Sequence, residues 1–562
     1  MKHINKTHIL IGIFLLAFFL RFQNLNWDAN MHLHPDERFL TMVGNSMKLP
    51  PDFTTYLTSS ISKWNPSNIG FSFFVYGLFP LTINKIIAII INTDFYNIFT
   101  IQGRALSGIM DMIALLFVYK LALVIKKKYK LSNLFPLFSA FLYAIAVYPI
   151  QSAHFFTTDT FLNTFLIISF YCATVFYFEE RLIYFAGSSI FFAFALASKM
   201  SALYMFPVIG LIAVVPVVKK KNLLSLCQYL CIYLLVFYGV LRIVSPYYFE
   251  TGDIFNITLN SQFLKSILEL RYMASGKMLF PPAVQWYSKT PFFFSLFNLS
   301  FFGLGIFYFI LSVLGGFNFL RFVFQQIKKK KLIYIIDYIL GFSIIVWIIG
   351  YFVYNSLQFV QLTRYLLFLF PFFALLGGYQ LSLIQMRLKK LFPFVLIGLL
   401  SWPLLFSTIY LFQNTRILSS WWIYKNIPNN ALILSEYWDD SLPYPVTSGK
   451  EFRNEQMHVF DPDTEDKWNK MNLQLQNADY YILSSNRAWG SIPTVPEKYP
   501  KMSMYYADLF NNKTHFALVK RFVPFYQYYF PFHPTSWINN WFEEAFTVYD
   551  HPSVFIFKNK NK

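Results

Sequence analysis

The chain has 562 residues, 56% of them hydrophobic and only 13% charged, with a formal net charge of +19. A soluble domain carries about 25% charged residues, so this chain cannot cover a water-facing surface of its size. Disordered, collagen-like, coiled-coil and disulfide-scaffold classes are excluded with it, which leaves a polytopic membrane protein.

In chain order, apolar segments of spanning length fall at about 8–24, 104–125, 132–150, 160–178, 182–198, 201–218, 223–244, 295–324, 332–354, 366–384 and 391–412, because a helix needs about 20 apolar residues to cross a bilayer core. The first follows Lys2 and Lys6 and runs into Phe19-Leu20-Arg21-Phe22, with no small-residue cleavage site. A retained signal anchor is predicted. Residues 25–103 form the first long loop. Within it, 71–92 is apolar enough to span but contains Pro80 and Lys85, and it is expected to be re-entrant or to lie at the membrane surface.

The charge excess sits entirely among the spans. Residues 1–412 hold 32 Lys+Arg against 13 Asp+Glu, and residues 413–562 hold 15 of each. The basic residues come in short runs: Lys126, Lys127, Lys128 and Lys130; Lys219, Lys220 and Lys221; the four lysines 328–331; and Arg387, Lys389 and Lys390. Short basic loops between spans mark the cytoplasmic side. With the N-terminus inside, spans two, six, eight and ten all end in such a run. Nucleic acid is thereby excluded as a partner, and eleven spans place residue 413 onward outside. Cys172, Cys227 and Cys231 all fall in spans, so no disulfide is available to the tail.

The second long loop, 245–292, carries a predicted helix around 259–274 and the aromatic run Trp286-Tyr287. An aromatic loop at that depth can cover a site or simply join the interfacial belt. From Arg416 the composition changes. A helix over 419–427 is stopped by Pro428, a strand is predicted at 431–435, a helix at 465–477 and a buried strand at 478–485. Segments 546–549 and 554–557 flank Asp550-His551-Pro552 and read as a hairpin. Alternating helix and strand predicts a small α/β domain.

Acidic residues are scarce among the spans. Apart from Asp111, Glu179, Glu180 and Asp337, all of them fall on the outer side of this topology. Two clusters stand out: His32-Leu33-His34-Pro35-Asp36-Glu37-Arg38 after the first span, and His154-Phe155-Phe156-Thr157-Thr158-Asp159-Thr160 between spans three and four. A carboxylate at the rim of a bundle is costly and marks function. It can take a proton from an acceptor hydroxyl as a general base. The plain structural alternatives are loop charges or helix caps.

In outline the chain resembles the glycosyltransferase C superfamily, in particular its protein-mannosyltransferase and lipid A aminoarabinose-transferase-like branch. His34-Pro35-Asp36-Glu37-Arg38-Phe39 is similar to that family's first acidic motif, and the segment from His154 to Phe161 to its second. Ala197-Ser198-Lys199-Met200-Ser201-Ala202 resembles a family segment with Lys at an outer helix end. The resemblance implies a membrane glycosyltransferase that moves a sugar from a polyprenyl-phosphate donor to an acceptor on the outer face. The family commonly has an extracytoplasmic C-terminal domain.

On that reading Asp36 is the expected base, Glu37 its helper, and Asp159 a second acidic group near the sugar. Cations for the departing phosphate are sought on the outer face: Arg104, Lys199 and Arg364, with Lys63 and Lys85 in the first loop. Arg grips phosphate as a fork and Lys as a point charge. The alternative for each is snorkelling at a helix end. His34, His154 and Gln361 are further candidates. No cofactor is expected. The family branch implies metal independence, although His32, His34 and His154 raise a divalent-metal alternative. The expected fold is a polytopic α-helical membrane protein of about eleven spans, glycosyltransferase C-like (residues 1–412), with an extracytoplasmic α/β domain (413–562). It is expected in the cell membrane, N-terminus cytoplasmic, with membrane lipids, the donor and a protein, lipid or glycan acceptor as partners. A lipid-linked-sugar transporter and a non-catalytic scaffold with a glycan-binding tail are the alternatives.

Overall fold

A computed structural model describes residues 5–219, 223–277, 280–329, 338–528 and 541–562. Lys220, Lys221, Lys330 and Lys331, read above as inner-side charges, and Asp337, read as lying in a span, are outside the described residues. Among the described residues, eight helices are long and apolar enough to cross a membrane: Tyr96–Tyr129, Thr158–Glu179, Met200–Val218, Leu224–Val244, Ile306–Ile327, Ile339–Ser356, Thr363–Arg387 and Phe392–Asn426. A ninth is the pair Phe135–Ile145 and Val147–Ala153, bent by 57°. Helices Lys6–Phe22 and Leu182–Ser198, with 17 residues each, occupy the two remaining expected segments. The region 71–92 yields a helix, Leu78–Ile90, of 13 residues. At 1.5 Å per residue it is too short to cross a bilayer core.

The bend is chemically organised. At Ala146 the backbone is extended, which frees the carbonyls just before it. Arg21, fully buried, donates to Ala144 O at 2.8 Å and Tyr143 O at 3.2 Å, and its Nε meets Asp111 at 2.5 Å. The Tyr143 hydroxyl completes the group on Asp111. A buried charge pair survives only when its remaining hydrogen-bond capacity is used, and here it satisfies a broken span. The intramembrane Asp111 thus has a structural occupation, which removes one residue that a transport path would need.

Small residues set the closest helix contacts. A Cβ on Gly315 would lie 2.0 Å from Leu376 O, and one on Gly378 would lie 2.7 Å from Ser139 N. Helix 306–329 therefore packs backbone to backbone on helix 370–387, which does the same on helix 135–145. Without a hydrophobic drive between helices in lipid, such close approach is what holds a bundle together.

The tail forms a five-stranded sheet: β1 (Leu432–Glu436), β2 (Arg453–Met457), β3 (Tyr480–Leu483), β4 (Phe516–Phe522) and β5 (Val554–Asn559), in the order β2-β1-β3-β5-β4. β1 pairs in parallel with β2 and β3, while β5 runs antiparallel to β3 and β4. The expected helices and the first and third strands are present as Thr415–Asn426, Glu465–Asn477, β1 and β3. The expected hairpin is not. Residues Glu544–Thr547 form a short helix instead, and β5 finds its partners in β3 and β4. Docking overrides the strand pattern here. Phe546 packs against Phe302 and Phe406, and Gln151 donates to its carbonyl at 2.8 Å.

Candidate functional site

The first acidic motif is folded by its own residues. His34 caps helix Pro35–Ser46 through its ring nitrogen, and Pro35 occupies the first turn, where its missing N–H costs nothing. This places Asp36 and Glu37 one residue apart on different faces, and they go to different places.

Glu37 points inward and has no exposure. It accepts from Arg104 Nε at 2.9 Å and from the Phe156 amide at 2.8 Å. Arg104 also donates to Asp28 at 2.7 and 3.0 Å and to Leu25 O at 2.7 Å, and it lies over the Trp27 ring. Every N–H direction of the guanidinium is taken. The structure therefore places Glu37 and Arg104 in a sealed brace joining the first loop, helix 96–129 and the second acidic motif. Arg104 has no donor left for a phosphate, and Glu37 has no path to a substrate without dismantling the brace.

Asp36 points the other way, toward Arg364, with which it forms a salt bridge. The Tyr76 hydroxyl donates to the same carboxylate. Burial alone would raise the Asp36 carboxyl, but the Arg364 guanidinium outweighs it and, with His34, holds it far below the usual carboxylate range. Beside this pair lies a second, Lys199 Nζ to Asp159 Oδ1 at 2.6 Å. The Tyr365 ring connects the two, with Lys199 at 5.1 Å and Arg364 at 5.6 Å from its centre. Both pairs keep partial access to solvent, with Arg364 24% and Lys199 21% exposed. Four of the expected residues, from distant parts of the sequence, thus converge.

The other candidates stand apart. His154 stacks on Tyr410 at 3.6 Å, and each ring nitrogen faces a backbone carbonyl. Gln361 accepts from Ser295 and is buried. Lys85 pairs with Asp94 at 2.5 Å, and Lys63 is exposed. His34 borders the site, its ring 4.3 Å from that of Tyr549; burial pushes its pKa down against the pull of Asp36 and Glu37.

Sequence reasoning missed Tyr76, Tyr365, Tyr549 and Glu543. Tyr549 comes from the tail, and Glu543 accepts from the Thr363 amide at 2.9 Å, next to Arg364. Their signal was weak. Tyrosines are abundant in this chain, and nothing local tells which ones face a site. Glu543 was hidden among the fifteen acidic residues of a tail read as separate.

The oligosaccharyltransferase of Archaeoglobus fulgidus in its apo form aligns over 99% of this chain and 89% of its own, at 11% identity and a TM-score of 0.53. The same enzyme with zinc and sulfate aligns over 98% and 88%, at 12% identity and a TM-score of 0.51. Bound to an inhibitory peptide and a dolichol-phosphate, it aligns at 12% identity and a TM-score of 0.50. The chain shares its fold with that archaeal oligosaccharyltransferase. No family model and no curated protein sequence matches the chain. ArnT from Cupriavidus metallidurans bound to undecaprenyl phosphate aligns over 98% of both chains at 10% identity, with a lower TM-score of 0.44.

Asp36 and Asp159 each face a cation of the chain itself. No group of three His, Cys, Asp or Glu side chains placed to hold one ion occurs among the described residues.

Proposed function

We propose that this chain is a membrane glycosyltransferase that moves a sugar from a polyprenyl-phosphate donor to an acceptor at the outer membrane face. The observation that carries the proposal is the double ion pair, Asp36–Arg364 beside Asp159–Lys199, bridged by one tyrosine ring. An anionic phosphate has a stronger claim on Arg364 and Lys199 than either carboxylate, since it offers two or more charged oxygens to the guanidinium fork. Donor binding would then displace both carboxylates from their cations. Asp36 loses the neighbour that depresses its basicity and becomes competent to accept the acceptor hydroxyl proton. The hydroxyl oxygen attacks the sugar carbon, the bond to the phosphate oxygen breaks, and the negative charge left on the phosphate is met by Arg364 and Lys199. Base and substrate are thus coupled, and the resting site is shut.

The fold supports this reading, as do the partners named for its neighbours, a dolichol-phosphate and a peptide. We assign the tail and the acidic site to the outer side from the basic loops, and the location to the cell membrane. Sugar and acceptor class are open to one experiment: mass spectrometry of the cell envelope with and without the gene, seeking one missing glycosyl unit. Proteoliposomes then test the chemistry. Covalent transfer lost in Asp36→Ala is the expected result. Movement of labelled lipid with no covalent product would establish a transporter instead.

A further inference from the structure

Glu543 comes from the tail but packs against the start of the span Thr363–Arg387. It has no exposure. Its Oε2 accepts from the Thr363 amide at 2.9 Å, and its own amide donates to Asn298 Oδ1 at 3.0 Å. Thr363 begins the span Thr363–Arg387, and its N–H is one of the donors that a helix start leaves without an intrahelical partner. A carboxylate there also meets the positive end of the helix dipole. The next residue is Arg364. The second oxygen, Oε1, is buried with no hydrogen-bond partner among the described residues. The charged and titratable groups facing Glu543 are Arg364 from span 363–387, Tyr148 from helix 147–153 and Glu544 on its own element; Glu544 is itself engaged by Arg487 at 2.8 Å.

We propose that Glu543 is a positioning residue of the donor site: it fixes Thr363 so that Arg364 can meet a phosphate, and its own charge decides how strongly Arg364 attracts one. The inference rests on the donor reading above. A neutral Glu543 still accepts the Thr363 N–H and leaves the guanidinium charge to Asp36 or to phosphate. An anionic Glu543 shares that charge and adds a negative neighbour. The group stands where the switch matters, since burial pushes it up to about 7, with the Thr363 bonds and Arg364 offsetting the rise only in part.

The test is binding of undecaprenyl phosphate to the purified full chain in nanodiscs, at pH 6 and pH 8, with undecaprenol as the uncharged control. The phosphate itself titrates near pH 6, so the informative quantity is the ratio between wild type and Glu543→Gln at each pH. At pH 6 the two should bind alike. At pH 8 Glu543→Gln should bind about 3- to 10-fold more tightly, the effect of removing one nearby charge at a partly screened distance. Undecaprenol binding should not distinguish them. Glu543→Ala, which cannot hold Thr363, should weaken phosphate binding at both pH values. An equal ratio at pH 6 and pH 8 overturns the proposal and leaves the donor reading standing. Failure of folded wild type to bind the phosphate at either pH removes both.

Discussion

At the scale of single residues, the chemistry divides between carboxylates held charged and carboxylates held neutral. Asp36 belongs to the first kind, since Arg364 and His34 outweigh its burial. In the free site it stays ionised throughout the neutral range, so an acid limb near pH 6 in kcat/KM cannot come from Asp36, whereas in kcat it can, once the donor has taken Arg364 and burial raises the carboxyl. Replacing it by Asn keeps the shape and removes the base. The expected loss in kcat is about 10²- to 10⁴-fold, with donor binding unchanged or tighter, because Arg364 loses its resting partner. A mutant with weak donor binding and normal kcat would reassign Asp36 to binding. Glu436 belongs to the second kind. Burial pushes it up to about 7 despite hydrogen bonds from Tyr481 at 2.7 Å and from Tyr506, and its second oxygen has no partner among the described residues. Its folded pKa lies above the unfolded value, so the folded state binds the extra proton. Stability therefore falls as pH rises from about 4.5 to about 7 and is flat beyond. Glu436→Gln should remove that slope and, at pH 8, stabilise the tail by up to about 3 kcal/mol, read as thermal unfolding at pH 5 and pH 8. A parallel pH response in wild type and mutant would show that another group is responsible.

At the scale of elements, what the molecule needs is bracing where helices are broken or meet closely. The Arg104 cluster ties the first loop and helix 96–129 to the second acidic motif through the guanidinium and Glu37. Taking away one member leaves the others buried and uncompensated, at about 3–5 kcal/mol for a buried pair. Glu37→Gln and Arg104→Ala should both lower the unfolding temperature strongly. Well below that temperature, Glu37→Gln should retain most of its transfer rate; a catalytic Glu37 would show the reverse, full stability and no activity. The close helix crossing makes a second prediction. Gly378→Val would drive side-chain atoms into the Ser139 backbone, so it should fail to accumulate as folded protein, whereas Gly12→Val, with open space around it, should be neutral.

This scale is also where the sequence was most and least readable. Each of the eleven apolar segments contains a helix among the described residues, because length and hydropathy act locally along each span. β2 escaped notice because its sequence, Arg453-Asn454-Glu455-Gln456-Met457, is polar and nearly all exposed; only parallel pairing with β1 makes it a strand. The 546–549 stretch has strand-like residues but is shaped by what it docks on. Asp36 and Asp159 could be picked out by scarcity. Whether Glu37 faced the site or the core could not, since both residues occupy the same turn and only the position of Arg104 separates them.

At the scale of the whole molecule, the buried carboxylate of Asp550 is one of the groups that latch the tail to the spans, beside Glu543 on Thr363. Asp550 accepts from Gln151 at 3.0 and 3.2 Å, from the Tyr410 hydroxyl at 2.8 Å and from His551 at 2.5 Å, while its carbonyl takes the Asn414 amide at 2.7 Å. Burial would raise Asp550, but His551, Gln151 and Tyr410 overcome it and hold it low. Its stabilisation is therefore present above the unfolded pKa and is lost only as pH falls through a value below the ordinary carboxylate range. The residues that the tail gives to the site, Glu543 and Tyr549, lie within seven positions of this latch. If 412 marks the boundary, cutting there would remove both, so the spans alone would keep their fold and lose transfer. A finer variant separates the latch from the domain. Asp550→Ala leaves the Tyr410 hydroxyl and one N–H of Gln151, whose other N–H stays on Phe546 O, buried without an acceptor, at about 1–3 kcal/mol for each unsatisfied group. Tail and spans should then melt in two transitions where wild type shows one, and protease should cut first near the 412–416 junction. Transfer should fall together with the first transition, because Tyr549 leaves His34 and Glu543 leaves Thr363 when the latch opens. Two transitions with transfer intact through the first would mean that the spans hold a complete site and that the tail serves only the acceptor.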